Sequence, residues 1–206
     1  MYLAKSPVLI RRLFSRNLTW EIQSKDKNIF LTFDDGPTPQ VTEEVLHILD
    51  NYQAKATFFC VGEKVKNHRE IFNKIRQSGH SIGNHTFNHL KGWSSKTKDY
   101  VDNVKSCETY FKTKLFRPPY GKIKVSQILQ LKESYRIIMW TVLSGDFDQS
   151  ISKEKCLENA IKFTGKGSIV VFHDNVKSSK KMLHALPGFL AHFKEKGYEF
   201  IAIPYQ

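Results

Sequence analysis

Short apolar runs alternate with segments of helical period along nearly the whole chain, and this alternation constrains the fold more than any other feature. The runs are Ile29–Phe33, Ala56–Val61, Ser81–Asn84, Leu115–Phe116, Arg136–Val142, Ser168–Phe172 and Tyr198–Ile203. Between them lie helical patterns, beginning with an apolar face of Val41, Val45, Leu46 and Leu49 after Thr38-Pro39, read as an N-cap followed by Pro at the first helical position. Further helices are expected near 64–78, around Tyr100 to Phe111, and over 125–134, 153–163 and 180–196, the last kinked or interrupted at Pro187. Seven strands separated by helices require crossover connections and so a parallel sheet. Strands apolar throughout require both sheet faces to be covered. A closed or nearly closed barrel and an open doubly wound sheet both fit this pattern.

Composition narrows the class. The 206 residues suffice for one domain with a sizeable core, and no interdomain linker or internal repeat is visible. Three Cys at wide spacing, Cys60, Cys107 and Cys156, form neither a disulfide framework nor a CxxC metal site. The formal net charge of +12 favours polyanionic partners at long range. Its lysines are scattered, however, and the only tight clusters, Arg11-Arg12 and Lys180-Lys181, are too small for a nucleic-acid motif. The reading is therefore a basic solvated surface, open to peripheral contact with anionic surfaces, with no nucleic acid as partner. No run of about 18 apolar residues predicts a transmembrane helix. The N-terminal residues lack the apolar core and cleavage site of a secretory signal, so a cytoplasmic or membrane-peripheral location is expected.

The chemistry-bearing residues fall at one topological place. Asp34 and Asp35 follow the first strand, His85 and His89 the third, Arg117 the fourth, Asp146 the fifth and His173 the sixth. In parallel α/β proteins the carboxyl ends of the strands form one face, and sites are built there. Two His four apart are expected on one face of a helical turn, where both rings reach one ion. Adding a carboxylate from the Asp pair gives a His/His/Asp donor set suited to zinc or a similar divalent ion. Adjacent side chains diverge, so one Asp can bind metal while its neighbour serves as a general base.

Four ordered segments carry a resemblance: Thr32-Phe33-Asp34-Asp35-Gly36-Pro37, His85-Thr86-Phe87-Asn88-His89, Arg117-Pro118-Pro119-Tyr120-Gly121 and Ile169-Val170-Val171-Phe172-His173. Together they resemble the polysaccharide deacetylase family, the NodB-homology group of carbohydrate esterase family 4, over residues 28–203. The resemblance implies an α/β fold of the distorted (β/α)7-8 barrel type. It implies one domain over residues 1–206, with 1–27 as an extension packing on the barrel. It implies metal-dependent removal of acetyl groups from an N-acetylated glycan. Carried over position by position, Asp35, His85 and His89 hold the metal, zinc first with cobalt or nickel as alternatives. Asp34 matches the general base, Arg117 the residue that tunes it, His173 the general acid and Asp146 the carboxylate orienting that acid. Pro119, Tyr120 and Phe147 match the substrate pocket, with the Tyr120 N–H as an oxyanion donor.

The chain departs from the family where Leu143 replaces the usual Asp and Phe147 the usual Trp. The lost carboxylate is expected to weaken the hold on Arg117, with Asp148 as a candidate replacement charge. Four other readings stand beside this one: a catalytically impaired sugar-binding relative, a deacylase of a non-carbohydrate amide or ester, a non-haem iron oxygenase using the two-His-one-carboxylate set, and a nucleic-acid binder drawn from charge alone. Six retained site residues weigh against the first, and the Asp base, Arg and distal His against the third.

Overall fold

The computed structural model describes residues 3–7, 9, 11, 13 and 17–205. Arg12 of the first basic cluster lies outside them. Eight strands make one sheet: β1 (Asn28–Asp34), β2 (Thr57–Cys60), β3 (Ser81–Asn84), β4 (Leu115–Phe116), β5 (Arg136–Ile137), β6 (Val142–Leu143), β7 (Ile169–His173) and β8 (Glu199–Phe200). Their order is β5-β4-β3-β2-β1-β7-β6, with β8 also paired to β1, and every pairing is parallel.

Chain connectivity forces this sheet to curl. Strands β5 and β6 lie at opposite edges, yet only residues 138–141 separate them. A flat sheet would hold the edges about 29 Å apart at 4.8 Å per strand. Five Cα steps reach no more than roughly 19 Å. The result is a distorted barrel, and the single strand expected over Arg136–Val142 is corrected to two. The stretch between them crosses the seam, where Ile138 bridges Thr19 in parallel and Lys5 bridges Val142 in antiparallel fashion.

The period-2 alternation of β1 sorts its side chains. Phe33 faces the helices, stacked between Phe58 and Phe172 with ring centroids at 5.0 and 6.2 Å. It belongs to the large core beneath the helices, with Leu31, Val45, Leu49, Phe72 and Phe189. Thr32 and Asp34 face the barrel interior, which is otherwise filled by Phe30, Phe59, Leu115, Ile138, Ile169 and Ile203.

The helices are α1 (Val41–Asn51), α2 (Gly62–Asn67), α3 (Arg69–Gln77), α4 (Thr97–Ser106), α5 (Val125–Leu131), α6 (Lys153–Lys162) and α7 (Val176–Glu195). Three differ from expectation. The first starts at Val41 rather than Pro39, because Gln40 takes a φ of 65° and the Glu43 carboxylate accepts its N–H at 3.2 Å. The helix expected over 64–78 is two, broken where His68 leaves helical geometry at φ −129°, ψ 53°. The last begins at Val176 and runs through Pro187 without interruption, its N-terminus capped by Asn175, whose Oδ1 accepts the Ser178 N–H at 2.8 Å. All three cysteines are buried and free. Among the described residues no helix is long and apolar enough to cross a membrane.

Candidate active site

Register delivers the first two functional groups. Asp34 ends β1 and pairs across the sheet with His173, the last residue of β7. His85 follows β3 directly and its N–H bonds the Cys60 carbonyl of β2, while Arg117 follows β4 and bonds the Asn84 carbonyl of β3. The strand ends thus bring Asp34, Asp35, His85, His89, Arg117, Asp146 and His173 to one face of the barrel.

His85 and His89 do not share a helical turn. Thr86 and His89 have positive φ, 65° and 59°, and the loop is held by side chains instead: Asn84 Oδ1 accepts the Thr86 N–H, Thr86 Oγ1 the Leu90 N–H and Asn103 Oδ1 the Phe87 N–H. Asp35 and Tyr120 are also left-handed, at 82° and 60°. Such conformations cost about 1–3 kcal/mol each and persist where the surroundings over-determine them, as at ligand clamps.

Asp35, His85 and His89 each point one donor atom at a common centre, all within 4.8 Å of one another. Asp35 Oδ1 lies 3.5 Å from His85 Nε2 and 3.0 Å from His89 Nε2. It is buried and has no hydrogen-bond partner. His85 Nδ1 lies 2.8 Å from the Arg117 carbonyl, an acceptor only, so Nδ1 carries a proton and neutral His85 presents a lone pair at Nε2. The His85 lone pair, the His89 Nε2 and the Asp35 carboxylate oxygen converging on one centre are a donor set that fits a divalent cation.

Arg117 is wholly buried. Its Nη1 donates to Asp34 Oδ1 and to Thr32 Oγ1, both at 2.7 Å, while Nε and Nη2 reach the Ile138 and Met139 carbonyls at 3.2 and 3.0 Å. Its guanidinium lies 4.1 Å from the centre of the Phe59 ring. With Leu143 in place of a carboxylate, Arg117 is held by backbone carbonyls of the seam and a strand hydroxyl in addition to Asp34. Asp148 does not replace the missing charge. It is half-buried, and its carboxylate accepts from Ser150 N–H and hydroxyl instead.

His173 Nδ1 sits 2.8 Å from Asp146 Oδ1, and its backbone N–H donates to Asp146 Oδ2 at 2.7 Å. Burial alone would lower the His173 pKa, but the fully buried Asp146 outweighs it and pushes the ring up to about 10. The ring is therefore cationic at neutral pH with Nε2–H free of Asp146. The Phe147 ring meets it edge-on at 5.2 Å. Pro119 is buried, whereas Tyr120 is exposed with its ring 4.7 Å from that of His89. The Tyr120 N–H enters no backbone hydrogen bond among the described residues.

Three residues were missed by sequence reasoning. Thr32 shares the inward face of β1 with Asp34, a signal that the i, i+2 spacing carried. Asp174 and Asn175 follow His173 and clasp the β1 loop. Asp174 Oδ1 accepts the Gly36 N–H at 2.9 Å, its Oδ2 accepts the Thr42 hydroxyl at 2.6 Å, and its own N–H bonds the Asp34 carbonyl. Burial pushes this carboxyl up to about 7, against the opposing pull of Thr42 and Lys64. A Cβ at Gly36 would fall 2.0 Å from Asp174, so only glycine fits there. Asn175 Nδ2 donates to Asp35 Oδ2 at 2.6 Å, leaving Oδ1 for the ion.

A family model described as polysaccharide deacetylase matches residues 21–136. A peptidoglycan-N-acetylglucosamine deacetylase of Bacillus cereus is 34% identical over 193 residues, covering 90% of this chain and 91% of that protein. The chitooligosaccharide deacetylase of Azorhizobium caulinodans is 33% identical over 162 residues, 74% of this chain and 76% of its own length. Among solved structures, the Bc1960 peptidoglycan N-acetylglucosamine deacetylase superposes with a TM-score of 0.85 at 25% identity, covering 97% of this chain and 95% of that one. The shared architecture and the matched length lead to one conclusion: this chain belongs to the polysaccharide deacetylase family.

Proposed function

We propose that the protein removes acetyl groups from an N-acetylated glycan, with Asp34 as base, His173 as acid and a divalent cation, zinc first, held by Asp35, His85 and His89. The observation that carries this reading is the buried, partnerless Asp35 Oδ1 facing two imidazole Nε2 atoms. When bound, the cation supplies Lewis-acid polarisation of the acetyl carbonyl and acidifies water.

The chain's own residues do the rest. Arg117 occupies Asp34 Oδ1, which leaves Oδ2 to take a proton from the attacking water. The Tyr120 N–H donates to the oxygen that gains charge as the carbonyl becomes tetrahedral. The C–N bond then breaks, and His173 Nε2 gives its proton to the departing amine. Acetate and a free amino sugar leave. Each proton-transfer role is worth about 10²–10⁴-fold in rate.

The test is steady-state acetate release from N-acetylglucosamine oligomers by the metal-loaded enzyme. Asp34→Asn and His173→Asn are each expected to lower kcat by at least 10²-fold while leaving bound metal unchanged. Wild-type rates in either variant would refute the assigned roles.

A further inference from the structure

Trp93 is 59% exposed, yet it is not loose. Its indole Nε1 donates to the Ile123 carbonyl at 3.2 Å, and Lys122 Nζ lies over the ring, 5.3 Å from its centre. The short turn that carries it, Gly92–Ser94, is clamped to the loop after β4. Gln127 Nε2 donates to the Gly92 carbonyl at 2.9 Å and Lys124 Nζ to the Ser95 carbonyl at 2.7 Å. Gly92 packs so close that a Cβ would fall 2.4 Å from the Lys122 carbonyl oxygen. A large aromatic ring held rigidly in water gives up apolar burial in the free protein, and this arrangement lowers the ordering cost of binding a flat apolar face.

The ring also borders the site already described. Trp93 lies four positions after His89, a span of at most roughly 14 Å. Tyr120, 62% exposed, sets its ring against His89 and lies two residues before Lys122, whose Nζ covers Trp93. The two exposed rings therefore sit on the loops after β3 and β4 that also carry or touch the donor set. Pyranose rings with equatorial hydroxyls present C–H faces, which suit the negative face of an indole.

We infer that Trp93, backed by Lys122, is a sugar-stacking subsite that binds a neighbouring unit of an N-acetylated glycan chain, so that the protein prefers oligomers to monomers. This inference rests on the deacetylase reading and adds a site away from the reacting atoms. The protein for the test is the metal-loaded Asp34→Asn variant, titrated calorimetrically with the N-acetylglucosamine tetramer and with the monomer. Adding Trp93→Ala is expected to raise the tetramer Kd about tenfold, the worth of one aromatic contact, and to leave the monomer Kd unchanged. Trp93→Phe is expected to keep most of the tetramer affinity. An unchanged tetramer Kd in Trp93→Ala, equal weakening of monomer and tetramer, or no tetramer binding by the parent would overturn the subsite. Tetramer binding that needs Trp93, with no acetate release by the wild-type enzyme, would instead sink the catalytic reading and leave the subsite standing.

Discussion

At the scale of single residues, the site works through what holds its reactive atoms rather than through those atoms alone. Asn175 has two tasks: its Oδ1 caps α7 and its Nδ2 orients Asp35. Asn175→Ser retains a capping oxygen and removes the amide donor, so it separates them. The expected result is a 10–100-fold loss of Co²⁺ affinity by competition titration, typical of outer-shell partners, with little change in thermal midpoint. Unaltered affinity would show that Asp35 needs no such support. Asp146 sets the charge of His173. The raised His173 pKa keeps the ring protonated up to about pH 10, so activity that needs the cation is present below that value and lost above it. Asp146→Asn removes the stabilising charge, and the alkaline limb of the kcat/KM profile should move to lower pH by more than one unit. A limb that stays in place would assign it to another group. Leu143→Asp, in turn, is not expected to raise acetate release, because Arg117 already makes four hydrogen bonds without a second carboxylate.

Among the elements, β1 carries the most. It is buried from Ile29 onward and pairs with β2, β7 and β8, delivering Asp34 inward and Phe33 outward. Phe33→Ala would empty the centre of a three-ring stack and is expected to cost about 3–5 kcal/mol in urea unfolding. A loss below about 1 kcal/mol would mean that the stack relaxes around the gap. The existence and order of such elements were legible in the sequence, since apolar runs and helical periods alternate so regularly. Their breaks were not. Nothing in the pattern of residues 64–78 marks His68 as the point where one helix becomes two. The run 136–142 reads as one strand because it is almost wholly apolar, although most of its burial comes from a seam crossing. In the same way the His85–His89 spacing fits a helical turn, whereas the chain forms a loop with left-handed residues, its N–H groups accepted by the Asn84, Thr86 and Asn103 side chains.

For the whole molecule, strand order separates what could be foreseen from what could not. Parallel strands place their carboxyl ends on one face, so the convergence of Asp34, His85, Arg117 and His173 follows from element order alone. The contacts that tune the site depend on which strands are neighbours. Arg117 reaches Ile138 and Met139 because they follow β5, which pairs with β4, and Asp174 and Asn175 reach the β1 loop because β7 lies beside β1. Metal removal tests the link between the donor set and the reaction most directly. Metal-stripped protein should release no acetate from N-acetylglucosamine oligomers, regain release when one equivalent of Zn²⁺ or Co²⁺ is restored, and fail to regain it as His85→Ala. Acetate release by the stripped protein, or full restoration in His85→Ala, would contradict the account.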